Sequence, residues 1–243
     1  MSLLAETRQI GGSETDLLAH YDQLIAAEWV APEESFLLTD RMRQLLSRYL
    51  VLLNRWNRVH SLTAITDPLE QVRRHIVDAL LVWPHLVRRL ASVAHPRIAD
   101  VGTGMGVPGI VWAIVMPRAA FDLYERQQKK LAFLRHVVGQ LELAASVRVM
   151  PGDVRHARPD ADVDVISSRA FAALAEFVAA TRSIAGRKTV WAAMIGRLDP
   201  EICKHSLLKI DTSGEDLMID DVVVLKAPTL AASRHLVWVR RVS

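Results

Sequence analysis

A single cysteine, Cys203, excludes an intramolecular disulfide and a paired-cysteine metal site. Long apolar runs are missing as well. The longest near the glycine cluster, Ile110 to Met116, is about seven residues, against the roughly twenty that span a bilayer. The first residues, Met-Ser-Leu-Leu-Ala-Glu-Thr-Arg, lack the basic start and apolar stretch of a secretory signal, so the expected compartment is the cytoplasm. Neither charge sign dominates: thirty basic against twenty-seven acidic residues leave +3, and a pI near 9.2 permits a polyanionic partner without demanding one. Internal repeats and low-complexity stretches are also lacking. Histidines 75, 85, 95, 136, 156, 205 and 235 are dispersed, with no metal-ligand spacing, and no metal is expected. With 51% apolar residues the chain has enough to bury one sizeable core.

What is present is unevenly placed. Arg41, Arg43, Arg48, Arg55, Arg58, Arg73, Arg74, Arg88 and Arg89 face only Asp67, Glu70 and Asp78 in the same window. This is either an RNA-facing surface or a set of solvated helix faces. Apolar positions Leu17, Leu18, Tyr21, Leu24 and Ile25 recur at helical spacing. A second helix is capped by Thr39 or Asp40 and carries Met42, Leu45, Leu46, Tyr49, Leu52, Leu53 and Trp56 on one stripe. A third is expected from Leu69 to Val87.

After His95-Pro96 the rhythm changes to strands alternating with helices. Strands are expected at Arg97–Val101, Ala120–Tyr124, Val147–Met150, Val163–Ser167 and Thr189–Ile195, with helices at Pro108–Val115, Gln127–Leu143 and Ala172–Ile184. Val222–Lys226 and His235–Arg241 read as an antiparallel pair at a sheet edge. The alternation predicts an α/β doubly wound, mostly parallel sheet with its ligand crevice at the carboxyl ends of the strands.

Four of only eleven glycines lie within Asp100-Val-Gly-Thr-Gly-Met-Gly-Val-Pro-Gly109, between the first strand and the first helix of this alternation. Gly102, Gly104 and Gly106 can adopt backbone angles closed to other residues and leave bare backbone against a ligand. Glu125 closes the next strand, some twenty residues on, where a carboxylate reaches a ribose. The glycines fall every second residue rather than in the Gly-x-Gly-x-x-Gly register, and no Gly-Lys-Ser/Thr follows. Asp100 at the strand end disfavours a pyrophosphate and suits a ligand bearing an ammonium or sulfonium. S-adenosylmethionine is thus favoured over a dinucleotide, with a purely structural turn as the remaining reading.

Several separated motifs, in order, carry a further likeness. Leu53-Asn-Arg-Trp-Asn57, Ser61-Leu-Thr63, Asp67-Pro68, Arg74-His-Ile-Val-Asp78, the glycine cluster, Lys130-Leu-Ala-Phe-Leu-Arg135, Ser168-Arg-Ala-Phe171, Lys226-Ala-Pro228 and Ser233-Arg-His-Leu-Val237 closely resemble the small-subunit rRNA guanine-N7 methyltransferases known as RsmG or glucose-inhibited division protein B. The likeness runs from about Leu38 to the last residue. It implies a Rossmann-like class I methyltransferase fold, a mostly parallel seven-stranded sheet flanked by helices, with an N-terminal helical addition. Residues 1–37 are expected as an extension, 38–95 as an RNA-facing helical region and 96–243 as the cofactor domain.

The resemblance further implies that Gly102 and Val107 touch the cofactor, that Glu125 holds its ribose, that Val154-Arg155 lie beside the adenine, that Arg169 stands at the mouth of the site and that Arg234 faces RNA. The candidate cofactor-binding set is Asp100, Gly102, Thr103, Gly104, Gly106, Val107, Glu125, Asp153, Val154, Arg155 and Arg169, and the candidate catalytic pair is Arg169 and Arg234. Three positions depart from the family's usual residues: Arg155 in place of an acid, Ile195 in place of lysine and Ser61 in place of asparagine. For stacking a splayed base the available planes are Trp56, Phe171, Arg169 and Arg234, and the two aromatics also suit the core. Arg74-His75 either faces RNA or packs, and Lys129-Lys130 either start a solvated helix or contact phosphate.

Guanine N7 carries an exposed lone pair, so methyl transfer to it needs no general base, in keeping with a sequence that shows no catalytic triad. The expected partner is 16S rRNA or the small ribosomal subunit, met by a monomer away from any membrane. Two other functions fit the residues: a non-catalytic rRNA-binding or assembly protein on the same fold, and a small-molecule methyltransferase.

Overall fold

The computed structural model describes residues 13–158, 161–169, 173–196, 207–208, 217–227 and 234–242. Phe171, Cys203 and His205 lie outside the described residues.

Helix α1 (Glu14–Glu28) begins in a capping box. Ser13 Oγ accepts the Asp16 N–H, and Asp16 Oδ2 accepts the Ser13 N–H. Helix α2 (Asp40–His60) is capped by Thr39 Oγ1 on the Met42 N–H and ends at Ser61, whose φ of 47° is left-handed. Its stripe buries Leu46, Tyr49, Leu50 and Leu53, while Met42, Leu45 and Trp56 pack half-buried at the margin.

The helix expected over Leu69–Val87 is broken. Asp67 caps α3 (Pro68–Gln71), a π turn covers Val72–Val77, and α4 (Asp78–Leu80) ends before α5 (Trp83–Arg89). Pro84 in the first turn of α5 has no N–H to continue a helix from the preceding residues.

Five of the eight strands of the sheet are parallel: β1 (Arg97–Val101), β2 (Ala120–Glu125), β3 (Val147–Pro151), β4 (Val163–Ser168) and β5 (Ala185–Ile195). Beyond them come β6 (Leu207–Leu208), β7 (Leu217–Leu225) and β8 (Arg234–Arg241) in the order β3-β2-β1-β4-β5-β8-β7-β6. β8 runs antiparallel to β5, and β7 antiparallel to β8. The seven expected strands are all present, with two-residue β6 added at the edge.

Alternation along each strand divides the core. Ile98, Phe121, Leu123 and Val165 pack with α2, α6 (Gly109–Val115) and α7 (Gln128–Gln140) on one face, whereas Ala99, Val101, Tyr124 and Ile166 pack with α8 (Leu174–Thr181) on the other. The Trp112 indole N–H donates to the Ala79 carbonyl at 2.8 Å and ties α6 to the helical layer.

Residues 14–36 are built into the same core. Tyr21, Ile25, Trp29 and Phe36 are buried with α2 and the α3–α5 segment, and the Phe36 ring meets Trp83 edge-on with centroids 5.1 Å apart. Tyr21 Oη donates to Gln71 Oε1 at 2.6 Å and contacts the Asn54 amide, and burial pushes its phenol up to about 12. Among the described residues no helix is long and apolar enough to cross a membrane.

The basic N-terminal window is largely neutralised by acids from outside it. Arg43 pairs with Asp22 and Asp40, Arg55 with Glu14, Arg73 with Glu28, Arg88 with Glu33 and Arg89 with Asp220.

Candidate active site

The strand order reverses between β1 and β4, which opens a crevice at their carboxyl ends. The β1–α6 turn that borders it is held from beneath. The Gly102 and Thr103 N–H groups donate to the Tyr124 carbonyl at 3.0 and 3.2 Å, and φ is 69° at Gly102, 64° at Gly104 and 96° at Gly106. Only glycine takes such angles without strain. At Gly106 a Cβ would stand 2.5 Å from Ile110 Cγ1, so glycine is required by packing too.

Asp100 does not face the crevice, contrary to its expected role beside a cationic ligand. It is 1% exposed, and its Oδ2 accepts from Thr103 Oγ at 2.7 Å and from the Gly109 N–H at 2.9 Å. Burial pushes its carboxyl up to about 6. Thr103, Gly106 and Val107 are buried with it and build the turn from behind.

Glu125, at the tip of β2, is the polar centre of the cleft. Its Oε2 accepts the Gly104 N–H at 3.0 Å, and its Oε1 accepts those of Arg126 and Gln127 at 2.8 and 2.9 Å. A carboxylate has about four lone-pair positions, so one on Oε2 remains for a further donor. The cleft beside it measures about 670 Å³ and is lined by Gly102, Glu125, Asp153, Val154, Arg155 and Lys130, among others. That is the size of a small-molecule site. Of the expected cofactor residues, five therefore share this cleft. The charge brought by Arg155 is answered locally: its Nη2 lies 2.9 Å from Asp153 Oδ2, and Asp153 Oδ1 accepts its backbone N–H. Lys130, one of the two ambiguous lysines, lines the cleft, while Lys129 Nζ donates to the His60 carbonyl at 3.1 Å.

Arg169 and Arg234 are not in this cleft. They meet in a second pocket of about 280 Å³ with Ile65, Arg74, His75, Asp78 and Met194. Asp78, buried at the end of the π turn, has Oδ2 3.4 Å from Arg169 Nη1 and Oδ1 3.3 Å from Arg234 Nε. Arg169 Nη1 also donates to the Arg74 carbonyl at 3.0 Å. The two sites adjoin through β4: Ser168, next to Arg169, donates through Oγ to the carbonyl of Val101, a cleft residue, at 2.8 Å.

His75 is buried at the wall of this second pocket, and burial lowers its imidazole to about 4, so it is neutral near pH 7. Trp56 packs half-buried among Phe133, His60 and His136, with ring centroids 5.1 to 5.7 Å away. Asp78 and Tyr124 went unassigned in the sequence. For Asp78 the available signal was its place three residues after His75 in an apolar run, where a carboxylate is buried only with partners.

Comparison with known proteins gives the family. The model for GidB, rRNA small subunit methyltransferase G, matches residues 42–237. Ribosomal RNA small subunit methyltransferase G of Stutzerimonas stutzeri (strain A1501) is 38% identical over 206 residues, covering 85% of this chain and 90% of that one. The protein of that name from Dichelobacter nodosus (strain VCS1703A) is 37% identical over 226 residues, covering 91% of this chain and 99% of that one. Among solved structures, a SAM-dependent methyltransferase from Thiobacillus denitrificans in complex with S-adenosyl-L-homocysteine is similar at 14% identity and a TM-score of 0.46, covering 72% of this chain and 74% of that one. With a family model spanning most of its length and relatives this similar over nearly theirs, the chain belongs to the rRNA small subunit methyltransferase G family.

Proposed function

We propose that this chain transfers the methyl group of S-adenosylmethionine to N7 of one guanine in 16S rRNA, acting as a monomer in the cytoplasm. The observation that carries the reading is the pairing of two adjoining sites, a nucleoside-sized cleft centred on Glu125 and a pocket of converging arginines. The cleft residues fit the cofactor. Glu125 keeps an acceptor position on Oε2 for a ribose hydroxyl without giving up a backbone bond. Gly102 presents bare backbone, and at Gly152, with φ 109°, a Cβ would meet nothing within 4 Å, so the rim stays open. Val154 offers an apolar wall. When bound, the cofactor supplies an electrophilic methyl carbon on a sulfonium.

The protein's own contribution is placement. Guanine N7 needs no deprotonation, and holding nucleophile and electrophile in line contributes on the order of 7 kcal/mol or more. Arg169 orients the base through O6, and Arg234 grips the RNA backbone, since a planar fork of donors suits both acceptors. Arg74, Arg169 and Arg234 line the pocket, and Arg126, Lys130 and Arg155 line the cleft, so cationic side chains border both.

The test is transfer of labelled methyl groups to free 16S rRNA, to small subunits lacking the modification and to a small-molecule extract. Label at N7 of a single guanine is expected. Label confined to small molecules, or absent, overturns the reading.

A further inference from the structure

The pocket at Asp78 is built around a carboxylate that its neighbours hold loosely. Asp78 is 4% exposed, yet its contacts to Arg169 and Arg234 span 3.4 and 3.3 Å, and Oδ1 makes no hydrogen bond. Charge-assisted N–H···O bonds ordinarily close to about 2.7–2.9 Å. Other carboxylates of this chain reach that range with their arginines, as Asp122 does with Arg97 at 2.8 Å and Asp220 with Arg240 at 2.7 Å. Asp78 therefore keeps acceptor capacity inside a pocket of about 280 Å³. Beside it stands neutral, buried His75, whose Nδ1 also lacks a hydrogen bond.

A buried carboxylate next to a guanidinium is complementary to one nucleobase edge in particular. Guanine presents two neighbouring donors, N1–H and the N2 amino group, and then an acceptor, O6. Adenine places an unprotonated N1 where the carboxylate needs a donor. Uracil offers one N–H between two carbonyls, and cytosine an acceptor at N3. We propose that Asp78 reads the Watson–Crick edge of the target guanine, accepting from N1–H and the N2 amino group, while Arg169 donates to O6. The order of groups in the protein agrees with the order round the ring. Asp78 lies in the pocket, Arg169 lies between it and β4, and the cleft follows across the Ser168–Val101 hydrogen bond, as N1, O6 and N7 follow one another.

This assignment rests on the proposed guanine-N7 transfer and extends it to base selection. As N7 bonds to the methyl carbon, the C–S bond breaks, its electron pair stays on sulfur and positive charge enters the purine. N1–H becomes a stronger donor, so its bond to Asp78 strengthens towards the transition state and acts on kcat as well as on KM. No proton leaves the base in this step.

The experiment uses small subunits reconstituted with 16S rRNA carrying either guanine or inosine, which lacks the N2 amino group, at the target position. The wild-type chain is expected to methylate inosine at least about tenfold more slowly in kcat/KM. Asp78→Asn is expected to be slow on guanine and to lose that preference, with the two rates converging while cofactor affinity stays at the wild-type value. Equal wild-type rates on the two RNAs overturn the assignment without any variant. So does an Asp78→Asn protein that keeps the wild-type guanine-to-inosine ratio, which is what a carboxylate serving only to hold Arg169 and Arg234 predicts. If Asp78→Asn fails to fold, the wild-type comparison of guanine with inosine still decides the assignment. Failure of the wild type on both RNAs sinks the functional reading itself and is distinct from a loss of preference.

Discussion

Arg169 is the residue whose removal separates binding from chemistry. It touches Asp78 and the Arg74 carbonyl at the pocket wall and lies outside the cofactor cleft. Arg169→Ala is expected to lower methyl transfer by roughly a hundredfold or more, the scale of losing one preorganised donor, with a melting temperature near the wild-type value. Near-normal turnover in that variant would show that the pocket has been misassigned. Asp100 makes a different prediction. Its folded carboxyl titrates near 6 because burial disfavours the charge, well above an unfolded aspartate. The folded state then binds the proton more tightly, and the stability this group contributes is fully present below the unfolded value and is lost as pH rises through about 6. Asp100→Asn should therefore gain stability relative to wild type between pH 4 and pH 6 and hold a constant difference above it. A difference between the two melting curves that does not change with pH would contradict this.

At the scale of elements, the glycine turn and α6 are held together by one close approach. A Cβ on Gly109 would stand 2.3 Å from Leu123 Cδ2 and 2.9 Å from Asp100 Oδ2, the atom that accepts the Gly109 N–H. Gly109→Ala is expected to destabilise the chain by about 1–3 kcal/mol through overpacking, read by denaturant unfolding. An unchanged midpoint would mean that β2 and α6 have slack where none is visible. Elements with local signals were legible: the Thr39 cap, the α2 stripe, the parallel strands, and the glycine turn with Glu125. Those whose form depends on distant partners were not. The break before α5 and the π turn leave apolar spacing almost unchanged. The first half of β7 was hidden by Asp220 and Asp221, where the register shifts, and Asp220 is met by Arg240 of the neighbouring β8 and by Arg89 of α5. Asp100 pointed inward because its hydrogen-bond partners sit three and nine residues on, at the turn's own threonine and glycine.

At the scale of the whole molecule, α1 and the Trp29 that follows it supply both core and counter-charge. Tyr21, Ile25 and Trp29 are buried, and Glu14, Asp22 and Glu28 neutralise Arg55, Arg43 and Arg73. Each large apolar side chain contributes roughly 1.5–3 kcal/mol on burial. Deleting residues 1–31 should accordingly lower the melting temperature by roughly 10 °C or more for a chain of this size. An unchanged transition would show that the helix adds nothing to the core. Counting charges within the basic window missed this, because the neutralising acids come from before and after it. The central claim is that the bare turn between β1 and α6, together with Glu125, seats S-adenosylmethionine. Its most direct test is a calorimetric titration of that cofactor into the wild-type and Glu125→Ala proteins. Saturable binding by the wild type, weakened by about 1–3 kcal/mol in the variant, is the predicted result. Absence of binding at millimolar cofactor, or equal affinity in the two proteins, would contradict it.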